Sequence, residues 1–279
     1  MTVARKTPRM GAQYTPKTIE ARIDVDETTS VRAALTLPSP DGKLAVALAI
    51  GHGAGSNMDQ PILVRMADAF AREGALVLRF NFVYTETGRR SPDRPPVLIA
   101  TWRAAAAWLA ARPEAKGRPL VLGGKSMGGR IASHLAALGD RCDGLWFLGY
   151  PLHPAGQPEK LRDAHLVDAP CPMLFLAGTR DPLCDLALLR PVLKKLGARA
   201  TLHVVEGGDH SFAVLKSSGR TPAEVEQELI DVSVRWLSVL TVRKEAKPAP
   251  AAAPPAGSPS SATRRAGTTP RGSRSATRK

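Results

Sequence analysis

Short apolar runs alternate along this chain with longer stretches whose apolar residues recur at helical spacing. The runs Ile19–Val25, Val31–Leu37, Leu44–Ile50, Leu76–Phe82, Leu120–Leu122, Gly144–Gly149, Met173–Ala177 and Thr201–Val205 read as strands. Helical patterns occupy Pro61–Glu73, Pro96–Ala111, Met127–Leu138, Leu183–Leu196 and Pro222–Leu240. Continuous apolar strands separated by helices predict an α/β architecture, a mostly parallel twisted sheet with helices on both faces. The early strands have no helix between them, and Pro38–Lys43 (PSPDGK) is a tight-turn sequence, so antiparallel pairing is expected there. The final helix carries the fullest signature. Thr221 and Glu224 form a capping box around Pro222, and Val225, Leu229, Val232, Trp236 and Leu240 share one face.

The pattern stops at Val242. No Val, Ile, Leu, Met, Phe, Trp or Tyr follows it, and such a composition buries too little apolar area to offset the entropy of ordering. The expected organisation is a disordered basic N-terminus over residues 1–17, one domain over 18–241, and a disordered basic Ala/Pro/Ser/Arg tail over 242–279. Charge follows the same division. Of the formal +14, residues 241–279 hold +8 and residues 1–17 hold +4, which leaves +2 on residues 18–240. The basic balance therefore describes the ends and says little about a substrate. Residues 243–279 suit loose, salt-sensitive contact with nucleic acid or another polyanion, and suit a plain solubilising linker equally well. No aromatic residue interleaves the basic ones, so base stacking is not indicated.

Cys142, Cys171 and Cys184 are odd in number and form no CxxC pair, which argues against a disulfide framework or zinc site and fits a reducing compartment. No apolar run approaches the roughly 18 residues that cross a bilayer, and the first residues lack the apolar stretch of a signal peptide. A cytoplasmic protein without membrane insertion is expected. Oligomeric state is not legible.

In a parallel sheet, chemistry collects in the loops at the carboxyl ends of strands. Four such loops stand out: Gly51–Asn57 (GHGAGSN), Gly123–Gly129 (GGKSMGG), Gly178–Asp181 (GTRD) and Glu206–Phe212 (EGGDHSF). The second holds Gly124-Lys125-Ser126-Met127-Gly128, a GxSxG pattern between a short strand and a helix. There a sharp strand-to-helix turn would force Ser126 into a strained conformation, and flanking side chains would collide with the neighbouring elements. A serine hydroxyl needs a base, and the base needs an orienting acid. Of six histidines, His134 falls within a helix and His203 within a strand, where packing or surface roles are expected. His153 and His165 follow the Trp146 strand, where a ligand-facing role is possible but not implied. His52 lies in the first loop and is expected to tie it. His210 follows the last strand and is the best placed base. For the acid, Asp181 follows its strand directly, while Asp185 should already lie on the next helix and Asp209 adjoins His210 too closely in sequence. The order Ser126, Asp181, His210 results, with the backbone N–H groups of Ala54 and Met127 as the expected oxyanion donors.

This constellation resembles the α/β-hydrolase superfamily over about residues 19–241. More narrowly, GHGAGSNMDQP, RFNF, GGKSMGGR, GYPLHPAGQPEKLRDAHL, LAGTRDP and GGDHSF resemble the branch of predicted, dienelactone-hydrolase-like proteins that includes testis-expressed protein 30 and NSL-complex subunit 3. The resemblance implies a Ser–Asp–His hydrolase fold without a large cap domain and supplies no substrate. A small-molecule acyl substrate is the expectation for such a triad, and no metal or organic cofactor is implied. Only about two dozen residues separate the Trp146–Leu148 and Met173–Ala177 strands, too few for a large lid. Lys125, Arg180, Arg89 and Arg90 border the expected opening, either as anion-selecting groups or, as the blander reading has it, as solvated surface charge.

Two rivals remain. A Walker A loop would need glycine where Pro119 stands, which disfavours nucleotide binding. A non-enzymatic interaction module that keeps the hydrolase shell is the alternative, since some relatives serve in protein complexes. The favoured reading is a carboxylesterase-like serine hydrolase acting on an ester, thioester or amide.

Overall fold

In the computed structural model, which describes residues 14–245, the apolar runs form eight strands: β1 (Thr18–Asp24), β2 (Ser30–Thr36), β3 (Ala47–Gly51), β4 (Leu76–Phe80), β5 (Leu120–Lys125), β6 (Gly144–Leu148), β7 (Met173–Gly178) and β8 (Ala200–Val205). They build one sheet in the order β1-β2-β4-β3-β5-β6-β7-β8. β1 pairs antiparallel with β2, and β2 antiparallel with β4; every other pairing is parallel. Helices α1 (Pro61–Arg72) and α6 (Pro222–Glu245) pack on one face through Leu63, Met66, Phe70, Val225, Leu229 and Leu237. The opposite face carries α3 (Pro95–Ala110), α4 (Met127–Ala137) and α5 (Leu186–Leu196), with Trp102, Ile131 and Leu189 in its core. The short α2 (Val83–Glu86) follows β4. The expected α/β sheet covered on both faces is what forms. The β6–β7 connection holds only a 3₁₀ turn at Ala164–Asp168, and no cap domain interrupts it.

Five local expectations need correction. Pro38–Lys43 does not turn a hairpin: β2 and β3 both pair with β4, on opposite sides. The linker instead crosses the foot of β4 and docks on the end of α1, where Ser39 N–H donates to the Ala71 carbonyl (2.7 Å) and Leu44 N–H to that of Glu73 (2.7 Å). β5 runs on through Gly123 and Gly124 to Lys125, because its neighbours β3 and β6 supply ladder bonds that local propensity does not anticipate. α5 begins at Leu186 rather than Leu183, with Asp185 as its cap rather than a residue of its first turn. Residues 14–17, read as part of a disordered N-terminus, are held to the β2 end. Tyr14 Oη donates to the Leu37 carbonyl (3.2 Å), and Leu37 N–H donates to the Lys17 carbonyl (2.8 Å). At the other end α6 continues to Glu245, past the expected boundary at 241. The rest of the basic tail, 246–279, and residues 1–13 lie outside the described residues. Among the described residues no helix is long and apolar enough to cross a membrane.

The α6 capping box forms as read: Glu224 N–H donates to Thr221 Oγ1 (3.2 Å), and Thr221 N–H donates to Glu224 Oε2 (2.7 Å). Its buried stripe differs at two positions. Val232 and Trp236 are half-buried, Leu237 is buried, and Ser233 sits fully buried at the centre. There it accepts from Trp146 Nε1 (2.9 Å) and donates to the Leu229 carbonyl (2.6 Å), so a polar pair ties α6 to β6 at no cost in unpaired groups. Truncating the fully buried indole in Trp146→Ala opens a cavity and removes the donor that Ser233 accepts from. Urea unfolding should show a loss of about 3–5 kcal/mol through a lower midpoint with unchanged slope.

Candidate active site

Gly124 and Gly128, on either side of Ser126, meet the carbonyl of Gly51 in the adjacent β3. A Cβ on Gly124 would fall 2.0 Å from that oxygen, and one on Gly128 would fall 2.1 Å from it. Only glycines allow β5 and α4 to approach β3 this closely, and the chain must turn between them within three residues. Ser126 takes the strain, with φ 50° and ψ −115°, a conformation that costs an L-residue about 1–3 kcal/mol. Its N–H is held by the Leu148 carbonyl at 3.2 Å. The result is a half-buried hydroxyl at the apex of the turn, beside the N-terminus of α4.

The structure brings Ser126, Asp181 and His210 together. His210, on the loop after β8, has Nε2 at 2.8 Å from Ser126 Oγ and Nδ1 at 2.7 Å from Asp181 Oδ2. A carboxylate accepts only, so Nδ1 carries the proton and Nε2 is free to accept the serine hydroxyl proton. The Asp181 side chain is 1% exposed, and its other oxygen accepts from Leu183 N–H at 2.8 Å, which fixes the carboxylate plane. The two rival acids have other employment. Asp185 caps α5 by accepting from Ala187 N–H (2.7 Å), and Asp209 accepts from the N–H groups of Ser211 (2.7 Å) and Ala213 (2.9 Å), shaping the His210 loop from within.

The remaining histidines are accounted for individually. His203 pairs with Glu228 at 2.6 Å across β8 and α6. His134 stacks on His165 with centroids 3.6 Å apart, and His165 Nε2 meets Ser133 Oγ at 2.8 Å. Burial and the neighbouring His134 and Arg130 push His165 down to about 4. His153, for which a ligand-facing role was open, is a buried tie: Nδ1–H donates to the Pro154 carbonyl (3.0 Å), and Nε2 accepts from Asp185 N–H (3.1 Å).

His52 is fully buried in the loop after β3. Its Nδ1–H donates to the Gly53 carbonyl (2.8 Å), and Nε2 accepts from Phe82 N–H (3.2 Å). Two residues of β4 and its exit, Arg79 and Asn81, complete the grip. Arg79 donates to the Met58 carbonyl (2.5 Å), while Asn81 accepts from Met58 N–H (2.8 Å) and donates to Glu86 (2.7 Å). Sequence reasoning quoted RFNF without giving either residue a role. The available signal was a charge and an amide inside an otherwise continuous apolar strand. This grip presents exposed Ala54 across Gly53 from Ser126, whose Cβ would lie 3.7 Å from a Cβ on Gly53. Neither the Ala54 nor the Met127 N–H is engaged by a turn or loop hydrogen bond among the described residues. Both remain available as donors.

Of the four basic residues expected at the opening, Lys125 departs most from surface charge, being 5% exposed. Arg89 is committed to Asp93 at 2.6 Å, while Arg90 and Arg180 stay exposed. A cavity of about 340 Å³ adjoins the His210 loop, walled by Ile62, Phe212, Val214, Val225 and Leu229, with Lys125 also on its wall. Among the described residues no group of three or more His, Cys, Asp or Glu side chains is placed to hold a metal ion.

An eight-stranded sheet in this order with helices on both faces defines an α/β-hydrolase fold. The chain belongs to the Alpha/beta hydrolase domain family, whose match spans residues 44–238. Solved structures of similar fold include a dienelactone hydrolase from Anabaena variabilis ATCC 29413, with TM-score 0.63 and 18% identity over 80% of this chain and 97% of that one. XC6422 from Xanthomonas campestris, described as an α/β serine hydrolase without a lid, has TM-score 0.61 and 23% identity over 81% of this chain and 98% of its own. A metagenomic dienelactone hydrolase-like promiscuous phosphotriesterase, P91, has TM-score 0.62 and 15% identity over 81% and 99%.

Burial holds His52 neutral, pushed down to about 4 from 6.5. The unfolded chain protonates near 6.5 and the folded one only near 4, so this group's contribution is intact above pH 6.5 and is lost as pH falls toward 4, up to about 3 kcal/mol. Thermal midpoints recorded from pH 7 to 4 should fall more gently for His52→Gln than for the wild type, even though the variant starts lower at pH 7.

Proposed function

We propose that this protein is a serine hydrolase of carboxylesterase type that acts on an ester, thioester or amide of a small acyl substrate through an acyl-enzyme intermediate. The observation that carries the reading is the unbroken chain from Asp181 through His210 to Ser126, with hydrogen bonds of 2.7 and 2.8 Å, ending on a strained hydroxyl. In this reading His210 Nε2 takes the hydroxyl proton as Ser126 Oγ bonds to the acyl carbon. Asp181 stabilises the imidazolium and keeps its orientation, and the N–H groups of Ala54 and Met127 receive the oxyanion. The proton then passes from His210 to the leaving oxygen, sulfur or nitrogen as its bond to the acyl carbon breaks. Water, deprotonated by the same imidazole, attacks the acyl-enzyme, releases the acid and returns the proton to Ser126.

The short β6–β7 connection leaves the serine accessible from solvent, which favours soluble or polymeric acyl donors over deeply buried lipid chains. The serine-hydrolase description of XC6422 and its lack of a lid agree with this reading. The narrower kinship with the testis-expressed protein 30 branch rests on the segments quoted above, chiefly Gly149–Leu166.

A fluorophosphonate probe should label the wild-type protein at Ser126. Ser126→Ala should abolish labelling, His210→Ala should slow it at least a thousand-fold, and Asp181→Asn roughly ten-thousand-fold in turnover of short p-nitrophenyl esters. Labelling that persists in Ser126→Ala overturns the nucleophile assignment. An inert wild type, silent toward both probe and esters, moves the protein to a non-enzymatic interaction role.

A further inference from the structure

Lys125 directly precedes the proposed nucleophile and points away from it, into the floor beneath three loops. Its stem passes Gly53 of the loop after β3, where a Cβ would stand 3.7 Å from Lys125 Cγ. Its ammonium ends beside Gly149, which follows β6, and donates to the His210 main-chain carbonyl at 2.5 Å. A Cβ on Gly149 would lie 3.1 Å from Nζ and 3.3 Å from the His210 carbonyl oxygen, so the glycine keeps this contact open. The Phe212 ring lies 5.8 Å from Nζ, and Phe212 itself is held at φ 63°, a left-handed conformation unusual for a bulky residue. The side chain thus joins the proposed oxyanion loop, the loop after β6 and the His210 loop.

This is an expensive arrangement for a structural role. Among the described residues no carboxylate forms an ion pair with Nζ within 4 Å, although Asp181 and Asp209 act on it at longer range. A buried ammonium without an ion partner is destabilising relative to an apolar side chain of similar length. Apolar packing would satisfy the floor. It would not hold a carbonyl.

We propose that Lys125 is a positioning residue of the hydrolase site, whose ammonium clamps the His210 main chain so that the imidazole stays between Asp181 and Ser126. The inference rests on the serine-hydrolase reading for its catalytic consequence, but the clamp itself does not. Lys125 acts through His210 and touches no reacting atom, so its loss should lower kcat and leave KM nearly unchanged. Desolvation also brings the ammonium down to about 8, against the opposing pull of Asp181 and Asp209. Those two carboxylates and His210 are the titratable groups that face it from the β7–α5 and β8–α6 loops. The clamp is therefore mostly charged at pH 7 and weakens as pH rises through 8, because a neutral amine is a poorer donor than an ammonium.

The test compares full-length wild type with Lys125→Met, which keeps the stem and removes the donor. Fluorophosphonate labelling of Ser126 and ester kcat should fall roughly ten- to a hundred-fold with KM unchanged, the effect of a small misplacement of the base. In proton NMR, a far-downfield resonance of the His210 Nδ1–H is expected to be sharp in the wild type and to weaken or vanish in the variant. Labelling within two-fold of wild type together with an unchanged resonance overturns the clamp. If the wild type takes up no probe, the hydrolase reading fails separately, and the resonance still decides the clamp. If Lys125→Met does not fold, the wild-type labelling rate decides it: a decline centred near pH 8 supports the clamp, and a flat rate from pH 7 to 9.5 overturns it.

Discussion

The carbonyl of Gly51 is the point against which the candidate site is built. Two glycines, 124 and 128, press on that one oxygen from opposite sides of Ser126, at separations where a Cβ would fall 2.0 and 2.1 Å away. Because β5 and α4 both have to reach β3, the residue between them cannot adopt a relaxed backbone, and the hydroxyl is displayed at the apex. The strain is sustained by long-range order: β5 is paired on both sides, by β3 and β6, from Val121 to Gly124, and by β6 at Lys125. A turn this tight in an isolated strand–helix unit would relax. In the centre of an eight-stranded sheet it has nowhere to go.

The partners of Ser126 come from loops, which lack that constraint, and the molecule fixes each by satisfying its backbone from within. Asp209 folds the His210 loop around its own carboxylate, Phe212 anchors it in the α1–α6 core, and Lys125 holds its carbonyl from below. Asp181 is oriented by Leu183 N–H. The loop after β3 is gripped by His52, Arg79 and Asn81, all buried and each spending at least one hydrogen bond on a main-chain atom of that loop or its neighbour. These are buried polar groups in an otherwise apolar sheet, and each has a backbone partner, the condition under which such groups are tolerated. The common logic is that a paired sheet sets the serine, and buried polar ties bring the loops to it.

Much of this was legible in the sequence because it is local. Strand–helix alternation follows from runs and periods of apolar residues, the capping box of α6 from two residues three apart, and the serine elbow from a pentapeptide. The order of Ser126, Asp181 and His210 along the chain, each just past a successive strand, was enough to select them from six histidines and several acids. What stayed hidden depends on partners distant in sequence. Pro38–Lys43 has turn composition, yet its hydrogen bonds go to the end of α1, and no local signal reports that β4 will insert between β2 and β3. Ser233 reads as a polar break in a helix face because its partner, Trp146, lies 87 positions away.

Lys125 shows the same limit most sharply. A lysine beside a Gly-rich turn reads as solvated charge, since its flexible stem normally carries the ammonium to water. Here the strand continues three residues further than its composition predicts. Those added residues fix the direction of the side chain, because successive residues of a strand point to opposite faces. With Ser126 turned toward solvent at the apex, Lys125 is turned under it, and the loops after β3, β6 and β8 close over the stem. The same ladder that strains the serine therefore buries the lysine. A change that shortened β5 would relax both at once, so the geometry of the nucleophile and the hold on its base are two consequences of one register, that of β5 between β3 and β6.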